Sequence, residues 1–596
     1  MGSSPSCGSS CGACDKAHRG CTSSSGVSIE RVEVAAAGKA DFFPTFCMPM
    51  PAFAKLRLMA AHEAVLDDLV QPPDDAIVHF VSHEWLGFSH PDPDGTQLRL
   101  MQAVFRKFAD GEARSLFHGT QFDDFTGGVS SGTAPTVQQI EREIAGRLPY
   151  KEEELPIHVT KGSVWLDYSS IPQDQTRPDF LAAVNSIPRY VERCNYFWVC
   201  APSAVHRDLR ETRDYYTWRG RGWCRLEEAA NFLCKTLKMP LLVTTESTVL
   251  TYGWLDRMNW NVGRPERSVA NGQFTCCRFD HRVPAADGST KFIPCDKDAL
   301  GPVLLGMFES RYSHVLAQGG ETSLDKLGML RTVASTTLAG YEDQLGYEVG
   351  QWVASEAETL ADFLPKNGFT CWDDFKERCR SGGEDQSSIR WSLIFWALMY
   401  ANMSTIKDLL SMQPELLYMR SRSNVAMIPY AMHRPPSEFK DLLSWNPRSR
   451  SPEELSHASI HGYTAVDRAA KLGFHENLRY ILELGAFVDP VRETSGATPL
   501  ISSADEGYPL CTEVLLEFKA NIHATDKAGC TALHRAAYPL AILGNMEVDG
   551  KLKVLKVLIK GRANLDRQNS AGKTALQIAV AASFFDAVDL LLQHVA

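Results

Sequence analysis

The chain has 596 residues, a net charge of −11, 44% apolar residues and 22% charged residues. That length suits about three or four domains of roughly 150 residues, and the composition is that of a globular chain able to bury a core. An acidic chain with no offsetting basic stretch is excluded as a general nucleic-acid binder.

Residues 1–50 are expected to form a disordered tail, small and polar over 1–25. The tail opens M-G-S-S-P-S, which fits N-myristoylation at Gly2, and Cys7 follows as a palmitoylation candidate, with Cys11, Cys14 and Cys21 behind it. A single acyl chain holds a membrane weakly, so a second on a nearby cysteine is needed to tether the protein to a membrane surface. The alternative is a plain tail with a chance match. The 16 cysteines are scattered, mostly in apolar patterns such as VC at 199–200 and NFLC at 231–234. This usage predicts reduced thiols and a cytoplasmic protein. The longest apolar run, WSLIFWALMYANM at 391–403, falls short of the ~18 residues of a membrane span and suits a buried helix.

The region 51–245 is predicted to be one α/β domain. It begins with a helix, AFAKLRLMAAHEAVLDDLV, closed by QPPDD. Four compact apolar runs follow: AIVHFVS at 76–82, GSVWLDY at 162–168, NYFWVCA at 195–201 and MPLLVTT at 239–245. Between them lie the helical stretches TQLRLMQAVFRKF, VQQIEREIAGRL, FLAAVNSIPRYVERC and GRGWCRLEEAANFL. Buried strands alternating with amphipathic helices predict a doubly wound parallel sheet covered on both faces. HPDPDG after the first run reads as a rigid turn rather than a metal site of His83, Glu84, His90, Asp92 and Asp94. Ser82 and His83 are strand neighbours and point to opposite faces, which argues against a Ser–His pair.

The connecting region 246–389 has no clear fold in its sequence. It contains FTCCRFDHR and FIPC. Adjacent cysteines are poorly placed for a tetrahedral ion, so Cys276, Cys277 and Cys295, with His281, are read as buried thiols and no metal is expected.

From 390 to 596 the pattern changes. GYTAVDRAAKLG, GATPLISSADEG, GCTALHRAA and GKTALQIAV begin copies of one unit, with Thr464, Thr498, Thr531 and Thr574 spaced 34, 33 and 43 apart. The last interval holds the insertion PLAILGNMEVDGK. A period near 33 with G-x-T-A-L-H-x-A-A and L-L-x-x-G-A-N closely resembles ankyrin repeats, and 392–417 looks like a degenerate earlier copy. The resemblance implies an all-α solenoid of five or six repeats whose concave face binds a protein partner. It also implies that Asp526 and His534 hold turns and helix starts.

In the α/β region, HFVSHEW, WLDYSSIPQ, VERCNYFWVCAPSA and the W-C-x-x-E of WCRLE occur in the order found in Toll/interleukin-receptor (TIR) domains. WLDYSSIPQ is also similar to a stretch of the fungal heterokaryon-incompatibility domain. The resemblance implies a TIR- or flavodoxin-like fold and homotypic association. In the TIR domains that cleave NAD the motif glutamate is catalytic, which assigns that role to Glu227 and makes NAD a substrate, with no bound cofactor.

A doubly wound sheet places ligands outside the carboxyl ends of its strands. Ser82, Trp85, Asp167, Tyr168 and Trp223 are therefore the substrate-binding candidates. Glu228, on the other side of the helical wheel from Leu226, Ala229, Ala230 and Leu233, is read as a solvated charge. Two readings stay open: a scaffold whose TIR-like domain also hydrolyses NAD, and a non-enzymatic adapter in which Glu227 only pairs with Arg221 or Arg225.

Overall fold

The computed structural model describes residues 43–117, 121–126, 150–173, 178–235, 238–252, 267–284, 290–292, 295–318, 322–345, 358–367, 369–381, 386–420, 426–445, 447–459, 462–538, 548–582 and 584–594. Gly2, Cys7 and the expected helix over 137–148 lie outside the described residues.

All four apolar runs form strands of one sheet: β2 (Val78–His83), β3 (Ser163–Leu166), β4 (Tyr196–Cys200) and β7 (Pro240–Thr245). The sheet also takes two flanking strands, β1 (Met48–Pro49) and β8 (Thr248–Thr251), in the order β1-β3-β2-β4-β7-β8. The inner four run parallel, while β1 and β8 pair antiparallel at the edges. A minor hairpin, β5 (Ala204–Val205) and β6 (Thr212–Arg213), follows β4.

Helices cover both faces because both faces are apolar. On one side α1 (Thr96–Ala109) and α2 (Leu155–Lys161) bury Leu98, Met101, Phe105, Phe108 and Val159 against Val81, Leu166 and Trp198. On the other, α3 (Pro178–Asn185), α4 (Ile187–Arg193), α5 (Tyr215–Gly220) and α6 (Gly222–Leu233) line the sheet. Ile187, Tyr190, Trp218, Cys224 and Ala230 there pack on Phe80, Trp165, Phe197 and Val199. Alternation along β2 sends Phe80 to the α6 side and Val81 to the α1 side, as a period of two requires.

The long first helix expected from residue 52 is not there. Only the short turns Met50–Phe53 and His62–Val65, the latter followed by a 3-10 turn over Leu66–Asp68, are helical. The Gln102 side-chain amide donates to the Phe53 and Leu56 carbonyls at 2.9 and 3.0 Å, taking acceptors that a continuing helix would use.

Beyond the sheet, α7 (Asp296–Gln318) and α8 (Thr322–Thr337) lead towards the solenoid. Among the described residues six helix pairs stack there, beginning with Gln386–Tyr400 and Met403–Met412 and ending with Ala575–Ala581 and Phe585–Leu592. Thr464, Thr498, Thr531 and Thr574 are each the residue that caps the first helix of a pair. Asp526 Oδ1 accepts from the amides of Ala528 and Cys530, both at 2.9 Å, and a ring nitrogen of His534 lies 3.1 Å from the Lys573 carbonyl. Both residues fix turns and helix starts, as expected. Gly529, at φ +72°, allows the next repeat to approach: a Cβ there would stand 2.7 Å from Ser570 N.

Candidate functional site

The strand order makes a topological switch between β2 and β4, because the chain leaves β2 for β3 on one side and then crosses back to β4 on the other. Two polar clusters stand at the carboxyl end of β2, one on each face.

The first involves α6. Gly222 opens this helix against the Phe274 ring, where a Cβ would lie 1.9 Å from Cζ, so no larger residue fits. The helix then carries Glu227 to Ser82, whose hydroxyl donates to Glu227 Oε2 and accepts from Trp218 Nε1 at 3.0 Å. Glu227 is 7% exposed. Burial, with the Asp167 charge adding to it, pushes its carboxyl up to about 8. The arginines considered as its partners are directed elsewhere: Arg225 to the carbonyls of Arg219 and Ser268, and Arg221 to Thr275 Oγ1.

The second cluster lies on the α1 face. His83 bridges Gln97 Oε1 at 2.7 Å through Nδ1 and Asp167 Oδ1 at 2.8 Å through Nε2. Trp85 Nε1 donates to Asp167 Oδ2 at 3.1 Å. Burial works against a charged His83 ring, yet the Asp167 carboxylate outweighs it and raises the ring to about 9. Asp167, though buried, is held below its usual range by the same pairing. Tyr168 packs edge-on against Trp85 with ring centroids 5.6 Å apart.

Of the six residues nominated in this region, Ser82 and Glu227 meet on one face and Trp85, Asp167 and Tyr168 on the other. Trp223 joins neither cluster: its Nε1 donates to Asp296 Oδ2 at 3.1 Å. The indole beside Ser82 is Trp218, which the sequence reading passed over. Its only local signal was Asp214-Tyr-Tyr-Thr217, the capping box that starts α5 and sets the ring. The pairing of His83 with Asp167, and of Gln97 with His83, was likewise missed.

Glu228 requires a correction. It is 6% exposed and accepts from the Tyr252 hydroxyl at 2.8 Å. The reason is that α6 has no solvent face: Leu226, Ala229, Phe232 and Leu233 pack on a second core with Leu300, Leu304 and Phe308 of α7. Cys224 donates its thiol to the His83 carbonyl at 3.6 Å, and burial raises its pKa well above the ordinary thiol range. It is a structural thiol, not a nucleophile. The HPDPDG segment is a turn, with Asp92 Oδ2 accepting from Leu98 N at 2.9 Å and His90 Nε2 lying 2.9 Å from the Met59 carbonyl.

A family model for ankyrin repeats in many copies matches residues 541–592. The B-cell lymphoma 3 protein homolog of Mus musculus is 29% identical over 147 residues, which is 25% of this chain and 30% of that protein. The SH3 and multiple ankyrin repeat domains protein 2 of Homo sapiens is 33% identical over 125 residues, 21% of this chain and 6% of that protein. Potassium channel AKT2/3 of Arabidopsis thaliana is 33% identical over 122 residues, 17% of this chain and 15% of that protein. The matches thus span at most 30% of these relatives' own lengths. The chain carries ankyrin repeats, the architecture of a protein–protein interaction scaffold, joined to an α/β region. Among the described residues no helix is long and apolar enough to cross a membrane.

Proposed function

We propose that the ankyrin solenoid binds a protein partner and thereby concentrates a TIR-like α/β module that self-associates and cleaves NAD through Glu227. The observation that carries this reading is the position of the Glu227 carboxyl, held by Ser82 at the switch between β2 and β4. The chemistry suits a lone carboxylate. The nicotinamide of NAD leaves from a cationic state and needs no general acid, so the protein has only to stabilise an oxocarbenium-like ribosyl centre. With its carboxyl near 8, Glu227 is largely protonated at neutral pH and supplies that negative charge as the pH rises.

The test uses the full chain, gathered on beads, given NAD and assayed for nicotinamide. Turnover is expected, with kcat/KM rising through about pH 8 and falling roughly 100-fold or more in Glu227→Gln. A variant as active as wild type ends the catalytic assignment.

One observation favours the adapter reading: Glu227 Oε2 is already engaged by Ser82 in a buried setting. That reading expects an inert chain whose light scattering still shows concentration-dependent association.

A further inference from the structure

Away from the sheet, four soft ligand groups converge. Cys276 and Cys277 sit on the helical turn Thr275–Arg278, His281 lies just beyond it, and Cys295 immediately precedes α7. Cys277 Sγ is 3.5 Å from Cys295 Sγ, 3.9 Å from Cys276 Sγ and 3.7 Å from His281 Nε2. All four ligand atoms fall within 4.8 Å of one another.

The three separations from Cys277 lie close to the edges of a zinc tetrahedron, and the remaining pairs, all within 4.8 Å, need close by no more than about 1 Å around an ion. Zn–S bonds of about 2.3 Å and Zn–N bonds of about 2.0 Å place neighbouring ligand atoms about 3.5–3.8 Å apart. A disulfide would require sulfurs about 2.05 Å apart. The sequence objection, that adjacent cysteines are poorly placed for a tetrahedral ion, is answered by the two sulfurs of Cys276 and Cys277 standing 3.9 Å apart, near a tetrahedral edge. Asp280 and His281 are both left-handed, at φ 48° and 58°, and the His281 amide donates to the Cys276 carbonyl at 2.8 Å. This tight return brings the imidazole back over Cys277. The hairpin of β9 (Arg282–Pro284) and β10 (Thr290–Phe292) then delivers Cys295 to the same place.

We propose that Cys276, Cys277, His281 and Cys295 bind one Zn²⁺ ion in a closed, structural tetrahedral site. Three thiolates and one neutral imidazole form the ligand set; binding releases the three thiol protons and leaves the site with a net charge of about −1. Thiolate and imidazole together suit zinc over magnesium or calcium.

The ion would staple the start of α7 to the start of α6. Asp296 N donates to Cys276 Sγ at 3.4 Å, and Asp296 Oδ2 holds Trp223 Nε1 at the first turn of the helix that bears Glu227. The proposal is independent of any NAD chemistry.

The full chain, purified under reducing conditions without added metal, is expected to carry about one zinc per molecule by elemental analysis. Cobalt exchanged into the site should give thiolate-to-cobalt charge-transfer absorption and the intense visible bands of a tetrahedral ion. Cys295→Ser and His281→Asn should each weaken metal affinity by more than about tenfold, while Cys371→Ser, at an exposed thiol outside the cluster, should leave it unchanged. If Cys295→Ser fails to fold, the wild type decides: a chelator should lower its unfolding midpoint and zinc should restore it. A reduced chain that neither contains nor takes up zinc overturns the proposal, and so does a Cys277–Cys295 disulfide found in the air-free protein.

Discussion

Glu227 is a carboxyl held where water is scarce, and the cost appears in its titration. Its pKa of about 8 in the folded chain stands above the ordinary 4.5. The folded state therefore keeps the proton that the unfolded state has already lost, and stability falls as the pH climbs from about 4.5 to 8. Glu227→Gln removes this slope and should stabilise the protein by on the order of 3 kcal/mol at pH 7, measured by urea titration across that range. His83 has the opposite kind of group but the same trend. Its ring, raised to about 9, contributes stability that is complete below about 6.5 and lost through 9, so a slope remaining in the variant over that interval belongs to His83. A variant whose pH profile parallels the wild type over pH 4.5 to 8 would remove the buried-acid account. Much of this was legible: Glu227 stood out from W-C-x-x-E, and Ser82, Asp167 and Trp85 from strand ends. The hydrogen bond from Trp218 to Ser82 and the pairing of His83 with Asp167 were not, because these contacts join residues 136 and 84 positions apart, and no local pattern encodes them.

At the scale of the element, the repeat threonines show why some structure is easy to read. Each does a local job with the residue three positions on, Thr464, Thr498 and Thr574 accepting from its amide and Thr531 meeting the His534 ring, so its spacing appears directly in the chain. Thr464 Oγ1 accepts from Asp467 N at 3.2 Å and is buried. Thr464→Ala should destabilise the chain by about 1 kcal/mol, and Thr464→Ser should recover most of it, as read from the denaturant midpoint. Equal losses in both variants would mean that the methyl group, not the cap, matters there. The helix α6 teaches the reverse. Its wheel offered an apolar stripe and a polar remainder, yet both sides are covered, one by the sheet and the other by α7. The covering helix comes from the region whose sequence suggested no fold, so Glu228 could not be read as buried from its own neighbourhood.

For the molecule as a whole, boundaries drawn at 245 and 389 are both crossed by packing. One core runs from Leu226 through Phe308 and Trp396 to Leu591, and residues Phe42–Ala596 form a single compact unit. A chain ending at 245 would lose Tyr252 and α7 and expose Leu226, Phe232 and Leu233, each worth roughly 1.5–3 kcal/mol when buried. Such a fragment is expected to aggregate and to bind a hydrophobic dye, whereas the full chain should not. A monodisperse fragment with an unchanged melting temperature would show that the shared core adds little.

The rims of the sheet set a limit on how copies can meet. At one rim β1 is two residues long and ends in Pro49, which has no amide hydrogen to offer. At the other, the short helix Gln121–Thr126 lies against β8. The short, proline-ended margin at β1 is a poor template for a foreign strand, which disfavours growth into a continuous ribbon at that rim. Gathering of these molecules is then favoured through side chains meeting across helices and loops, in finite, reversible clusters rather than fibres.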